Sequence, residues 1–185
     1  MKNLIRPVKS FLRHKNIKFE PWNDKNHLKF EFDGDNSWFH GFIYIDEETR
    51  LILVKTVSPT KVPKNKRLKI VDLITRINSQ IPLGNFELSL KKGLICFRTS
   101  LMLGNSSFRE ELMQHLLFAN WFIADKYFPA FNMVLFGNIQ PQKAIELSLN
   151  EPPYDPDEQD GEGTKTAETL KPINRFKGLF GESLN

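Results

Sequence analysis

Apolar positions along this chain change their period several times, and each change marks an element. Leu4, Ile5, Val8, Phe11 and Leu12 recur at helical spacing and predict an opening helix. Leu28-Lys29-Phe30-Glu31-Phe32 then alternates strictly, Asp33-Gly34-Asp35-Asn36 reads as a turn, and residues 38–45 are rich in strand formers. Asp46-Glu47-Glu48-Thr49 turns the chain into Leu51-Ile52-Leu53-Val54-Lys55-Thr56-Val57, so three strands form an antiparallel meander that Pro59 and Pro63 close.

The period lengthens again after Pro63, which suits a first helical position. Leu68, Val71, Ile74 and Ile77, reinforced by Ile70 and Leu73, predict a helix over 64–79. A hairpin over 85–102 follows. Its first strand presents Phe86, Leu88 and Leu90 on one face, and its second buries either Ile95, Phe97 and Thr99 or Leu94, Cys96 and Arg98. Ser107 and Glu110 have the spacing of a capping box at the head of a long helix. Leu112, Leu116, Ala119, Phe122 and Ile123 form its main stripe, widened by Leu117, Trp121 and Tyr127. Pro129 kinks or interrupts it, Gly137 stops it, and a short helix runs over 141–149. The result is an α+β domain with an antiparallel sheet of about five strands in the order α-βββ-α-ββ-α.

Composition divides the chain in two. Residues 1–150 hold 22 lysines and arginines against 14 acids, and residues 151–185 hold 4 against 8, so a body of +8 carries a tail of −4. Residues 151–163 contain six acids, no base and three prolines, with almost nothing to bury, and read as a disordered linker. Beyond it Ile173, Phe176, Leu179 and Phe180 fall near one helical face over 172–181, a candidate docking motif. The domain is therefore placed at 1–150 and the tail at 151–185. A chain of 185 residues can bury a core without metal or disulfide staples. Cys96, the single cysteine, is expected as a small buried hydrophobe in a reducing compartment. No apolar run is long enough to span a membrane and no secretory signal opens the chain, so the expected location is the cytoplasm. The first 19 residues carry six cations and no acid, which reads as the solvated face of a packed helix.

Chemistry is sparse. His14, His27, His40 and His115 stand at no metal-ligand interval, and one cysteine builds no zinc site. Glu111 and His115 share a helical face as an ordinary surface pair, and Asp33 and Asp35 belong to a turn rather than a calcium loop. No glycine-rich phosphate cradle occurs. No cofactor, metal or catalytic residue is expected. Lys61, Lys64, Lys66, Arg67 and Lys69 form the densest basic cluster, entering a helix where positive charge opposes the dipole. They are the candidate patch for an alternative function, a regulator that binds nucleic acid.

One resemblance adds to these readings. A strand with a Trp and an acidic turn (Trp38, Asp46, Glu47, Glu48), a helix from Pro63 to Asn78, Gly84-Asn85-Phe86-Glu87, and Asp125-Lys126-Tyr127-Phe128-Pro129-Ala130 resemble recurrent segments of the YbjN family. Its members are small bacterial proteins described as sensory-transduction regulators, with a fold like that of type III secretion chaperones. The likeness runs over about residues 3–137. It implies a chaperone-like sheet with helices on one face, dimerisation, and work done by binding proteins rather than by catalysis. The expected function is a non-enzymatic, chaperone-like or regulatory protein-binding module. Its candidate contact residues are Trp38, Phe42, Tyr44, Phe118, Trp121 and Phe122, aromatic anchors of the kind that carry interface energy. They are placed in a groove between sheet and helices that receives a client segment or the chain's own tail.

Overall fold

The computed structural model describes residues 3–149. The 172–181 motif, with Ile173, Phe176, Leu179 and Phe180, lies outside the described residues, as does the linker before it. The chain runs α1 (Ile5–His14), β1 (Phe19–Trp22), β2 (Asp24–Asp33), β3 (Trp38–Asp46), β4 (Leu51–Lys61), α2 (Arg67–Asn78), β5 (Asn85–Leu88), β6 (Leu94–Met102), α3 (Glu110–Lys126), α4 (Phe128–Leu135) and α5 (Pro141–Leu149). All strands join one antiparallel sheet in the order β1-β2-β3-β4-β6-β5.

The α+β class and the meander stand as expected, with a sixth strand. β1 escapes the sequence pattern because it is only four residues long and contains Pro21, so its pairing with β2 depends on the neighbouring edge rather than on its own propensity. Period-2 burial sorts the sheet. Leu28 and Phe30, Phe39, Ile43 and Ile45, Ile52 and Val54, and Phe86, Ile95 and Phe97 all point to one side, and the helices pack there. Gly41 belongs to that buried row, because Phe30 from the facing strand occupies its side-chain space; a Cβ would lie 2.0 Å from the Phe30 ring.

Two apolar clusters fill the covered side. One joins α1 and the first half of α3 to β2, β3 and β4; the other joins α2, α4 and α5 to β5 and β6. The opening helix packs its stripe of Leu4, Ile5, Val8, Phe11 and Leu12 as expected. Its first amides are held by two side chains: Asn3 Oδ1 accepts from Arg6 N–H at 3.2 Å, and the carboxylate of Glu47 at the β3–β4 turn accepts from Leu4 N–H at 2.8 Å and Ile5 N–H at 3.0 Å.

Three local expectations are corrected. Leu68 and Val71 are exposed, and the buried stripe of α2 is Ile70, Leu73, Ile74 and Ile77. Ser107 caps nothing, because α3 begins at Glu110 behind an extended Arg109. The buried face of α3 keeps Leu116, Leu117 and Ala119 of the expected stripe but is completed by Met113, Asn120, Ala124 and Asp125, while Leu112, Phe122 and Ile123 are only half-buried. Pro129 does interrupt the long helix, sitting in the first turn of α4, and α5 spans 141–149 as expected.

Candidate functional site

Where the two clusters meet, the sheet offers hydroxyls instead of methyl groups. Thr56 on β4 and Thr99 on β6 are buried, and Asn120 of α3, with no exposed surface, sits over both. Asn120 Oδ1 accepts from Thr56 Oγ1 at 2.6 Å. Its Nδ2 donates toward Val54 O at 3.2 Å, Phe97 O at 3.3 Å and Thr99 Oγ1 at 3.2 Å. Thr99 Oγ1 in turn donates to Leu116 O at 3.2 Å. Every polar atom of this set has a partner and none reaches solvent, so it fixes α3 on the sheet rather than binding anything.

Asp125, at the end of the same helix, does the equivalent for the β2–β3 turn. Its carboxylate accepts from Asp35 N–H at 2.9 Å, Asn36 N–H at 3.0 Å, Asn36 Nδ2 at 3.1 Å and Ser37 N–H at 3.2 Å. Gly34 admits it, since a Cβ there would stand 2.2 Å from Asp125 Oδ1. Burial pushes the Asp125 carboxyl above its ordinary range, against the opposing pull of these donors.

The other side of the sheet is uncovered among the described residues. Strand alternation sends Trp38, His40, Phe42 and Tyr44 out from β3. Trp22 of β1 lies 4.6 Å from Phe42 and 5.8 Å from Tyr44 between ring centres, and His27 of β2 lies 4.9 Å from Tyr44. Trp22, His27, Phe42 and Tyr44 thus form a half-buried aromatic patch, and Trp38, 49 % exposed, stands edge-on to His40 at the strand's start.

This patch grades into charge along the sheet rows. Phe42 is the register partner of Lys55, and Lys55 is the partner of Arg98. Two cations directly opposed on neighbouring strands repel. Glu87 of β5 relieves the repulsion: its carboxylate lies 3.0 Å from Lys55 Nζ and 3.0 Å from Arg98 Nε. Burial pushes the Glu87 carboxyl up, but the Lys55 hydrogen bond and the two cations outweigh it and hold it below its ordinary value. Cys96 belongs to this face and not to the core, a correction to its expected place. Its Sγ lies 3.6 Å from Glu87 Oε2, and burial pushes the thiol up to about 11, which leaves it a poor nucleophile.

The six expected contact residues therefore do not share one groove. Trp38, Phe42 and Tyr44 lie on the open face, while Phe118 and Trp121 pack on the covered side, where Trp121 stacks on Phe32 at 4.7 Å. Phe122 is half-buried on the same helix, with Lys126 over its ring. A helix position cannot reveal which side of the sheet it serves, whereas β3's period of two already groups Trp38, Phe42 and Tyr44. Trp22 was missed because it stands alone beside Pro21, and Lys55, Glu87 and Arg98 because register alone brings them together. The basic cluster occupies a corner where β4 runs into α2. Lys61, Lys64 and Lys69 are exposed there, whereas Lys66 bonds Asn138 and Arg67 bonds the Leu90 carbonyl.

Residues 7–133 match the YbjN family, "Putative bacterial sensory transduction regulator". Among solved structures the chain is similar to YbjN of E. coli, "a putative transcription regulator", at 11 % identity. The match covers 73 % of this chain and 90 % of that one, with a TM-score of 0.51. No curated protein matches the chain. The chain belongs to the YbjN family and shares its fold.

Proposed function

We propose that this YbjN-family protein is a non-enzymatic binding module, chaperone-like or regulatory, that receives an apolar segment of a client protein on the open face of its sheet. The carrying observation is the aromatic patch in which the large rings of Trp22, Phe42 and Tyr44 touch one another, with His27 against Tyr44, and stay half-exposed. A fold has no need to leave such rings outside its core, and aromatic anchors are what interfaces use for affinity.

The sheet edges direct the client onto the face. β1 is short and carries Pro21, which lacks a donor, and β5 has four residues, so neither edge offers a long ladder for strand addition. A helix or extended segment laid across β1 to β3 would cover the rings, and its acidic side chains would reach Lys55 and Arg98. Those two carry one positive charge more than Glu87 neutralises.

The test is capture from native lysate, with and without nuclease, by the full chain and by a Phe42→Thr, Tyr44→Thr variant. A stoichiometric, nuclease-resistant protein retained by the first and lost by the second supports the reading. A nuclease-sensitive complex indifferent to the two substitutions favours instead a nucleic-acid regulator acting through Lys61, Lys64, Lys66, Arg67 and Lys69. Dimerisation across the same face would appear as a concentration-dependent mass abolished in the variant.

A further inference from the structure

Seven cations and two protruding leucines meet at one corner of the molecule, where β4 runs into α2 beside the β5–β6 turn. Residues 61–71 hold Lys61, Lys64, Lys66, Arg67 and Lys69, residues 88–94 hold Lys91 and Lys92, and neither segment has an acid or an aromatic. The fold joins them. Val62 N–H donates to Gly93 O at 2.8 Å, Lys61 is the register partner of Leu94, and Arg67 Nη1 donates to Leu90 O. The hydrogen-bonded, half-buried Lys66 and Arg67 form the seam, and Lys61, Lys64, Lys69, Lys91 and Lys92 stand out from it.

Between these lysines, Leu68 is 84 % exposed and Leu90 is 62 % exposed. Neither contributes to the core. Leu68 stands outside the buried stripe of α2, and Leu90 ends in the β5–β6 turn. Apart from the Lys66 and Arg67 hydrogen bonds, the exposed charge is not placed to stabilise α2, which has no acid in its first turn and no side-chain cap, and cations at a helix N-terminus oppose its dipole.

We propose that this corner docks peripherally on an anionic lipid surface. The five exposed lysines meet the headgroup phosphates while Leu68 and Leu90 enter the boundary between headgroups and acyl chains. The leucines decide between ligands. Phosphates of RNA would satisfy the lysines but offer nothing to aliphatic tips, and base stacking would require aromatic rings that these segments lack. A charged bilayer surface uses both kinds of side chain at once.

The experiment is co-sedimentation of the full chain with phosphatidylcholine–phosphatidylglycerol vesicles and with phosphatidylcholine alone. Binding to the mixed vesicles only is expected. Each replacement of Lys61, Lys64, Lys69, Lys91 or Lys92 by Gln should lower partitioning about fivefold. Leu68→Ser with Leu90→Ser should lower it at least about tenfold, with the thermal unfolding midpoint unmoved because both side chains are already in solvent. A full chain that leaves the mixed vesicles unbound overturns the proposal. So does a leucine variant that partitions like the parent while the lysine variants fail. If those lysine variants also lose retention of a single-stranded RNA probe, the corner is a nucleic-acid surface instead.

Discussion

The two faces of this one sheet treat polar groups in opposite ways. On the covered face Thr56, Thr99 and Asn120 are sealed under α3, and each hydroxyl and amide is paired inside the protein. On the open face Lys55, Glu87 and Arg98 pair with one another at 28–43 % side-chain exposure, beside rings that a core would have absorbed. The first arrangement gives position at the expense of accessibility; the second keeps its groups available to an incoming partner. Stability and binding are therefore separable by face, and substitutions can test that separation.

The largest loss is expected at the sealed node. Asn120→Ala strands the Thr56 hydroxyl, takes a donor from Thr99 Oγ1 and from the Val54 and Phe97 carbonyls, and leaves a cavity beneath α3. Unfolding in urea should show a loss of about 3–5 kcal/mol. A value under about 1 kcal/mol would mean that water reaches the site and that the two faces are less different than their geometry implies. Asp125→Ala should cost less, about 2–3 kcal/mol, because the turn amides it releases can be rehydrated. Its signature is local, with hydrogen exchange of Asp35, Asn36 and Ser37 accelerating before that of the strands.

On the open face the order reverses. Phe42→Thr keeps a strand-forming residue and should change stability by no more than about 1 kcal/mol. It should weaken a client captured on that face by about 2 kcal/mol, roughly thirtyfold. Equal losses in both measurements would show that the ring belongs to the fold and not to a site.

The same contrast explains what could be read from the sequence. Alternation in β2 was legible because His27, Lys29 and Glu31 face out while Leu28, Phe30 and Phe32 face in, whereas β4 hides its faces, with Leu51 and Leu53 turned outward and Thr56 and Ser58 buried. The β6 parity was undecidable, since Ile95-Phe97 and Leu94-Cys96 are both apolar; the helices packed above settled it by burying the first set. The helix stripes were misjudged where polarity and burial part company. Asn120 is the centre of the buried face of α3 yet reads as surface, and Leu68 reads as core yet faces solvent. Both exceptions arise from tertiary demands, one for a polar anchor between two apolar clusters and one with no demand from the fold at all. The site was half legible: β3 spelled out Trp38, Phe42 and Tyr44, while Trp22 and the Lys55, Glu87 and Arg98 set required strand register.

The smallest expected effect gives the sharpest sign. Glu87 is held below the ordinary carboxylate value in the folded protein, because Lys55 and Arg98 outweigh the cost of burial. Its contribution to stability is then fully present above the unfolded value, about 4.3, and is lost as pH falls through the lower folded value. Partial exposure and solvent screening keep that contribution to about 1 kcal/mol or less. Glu87→Gln should accordingly change stability by no more than this at neutral pH and leave the two variants alike in strong acid. A carboxyl NMR titration of the parent should place Glu87 below a free glutamate. A midpoint above it would mean that burial dominates, that Lys55 and Arg98 are turned away, and that the charged half of the open face is not assembled before a partner arrives.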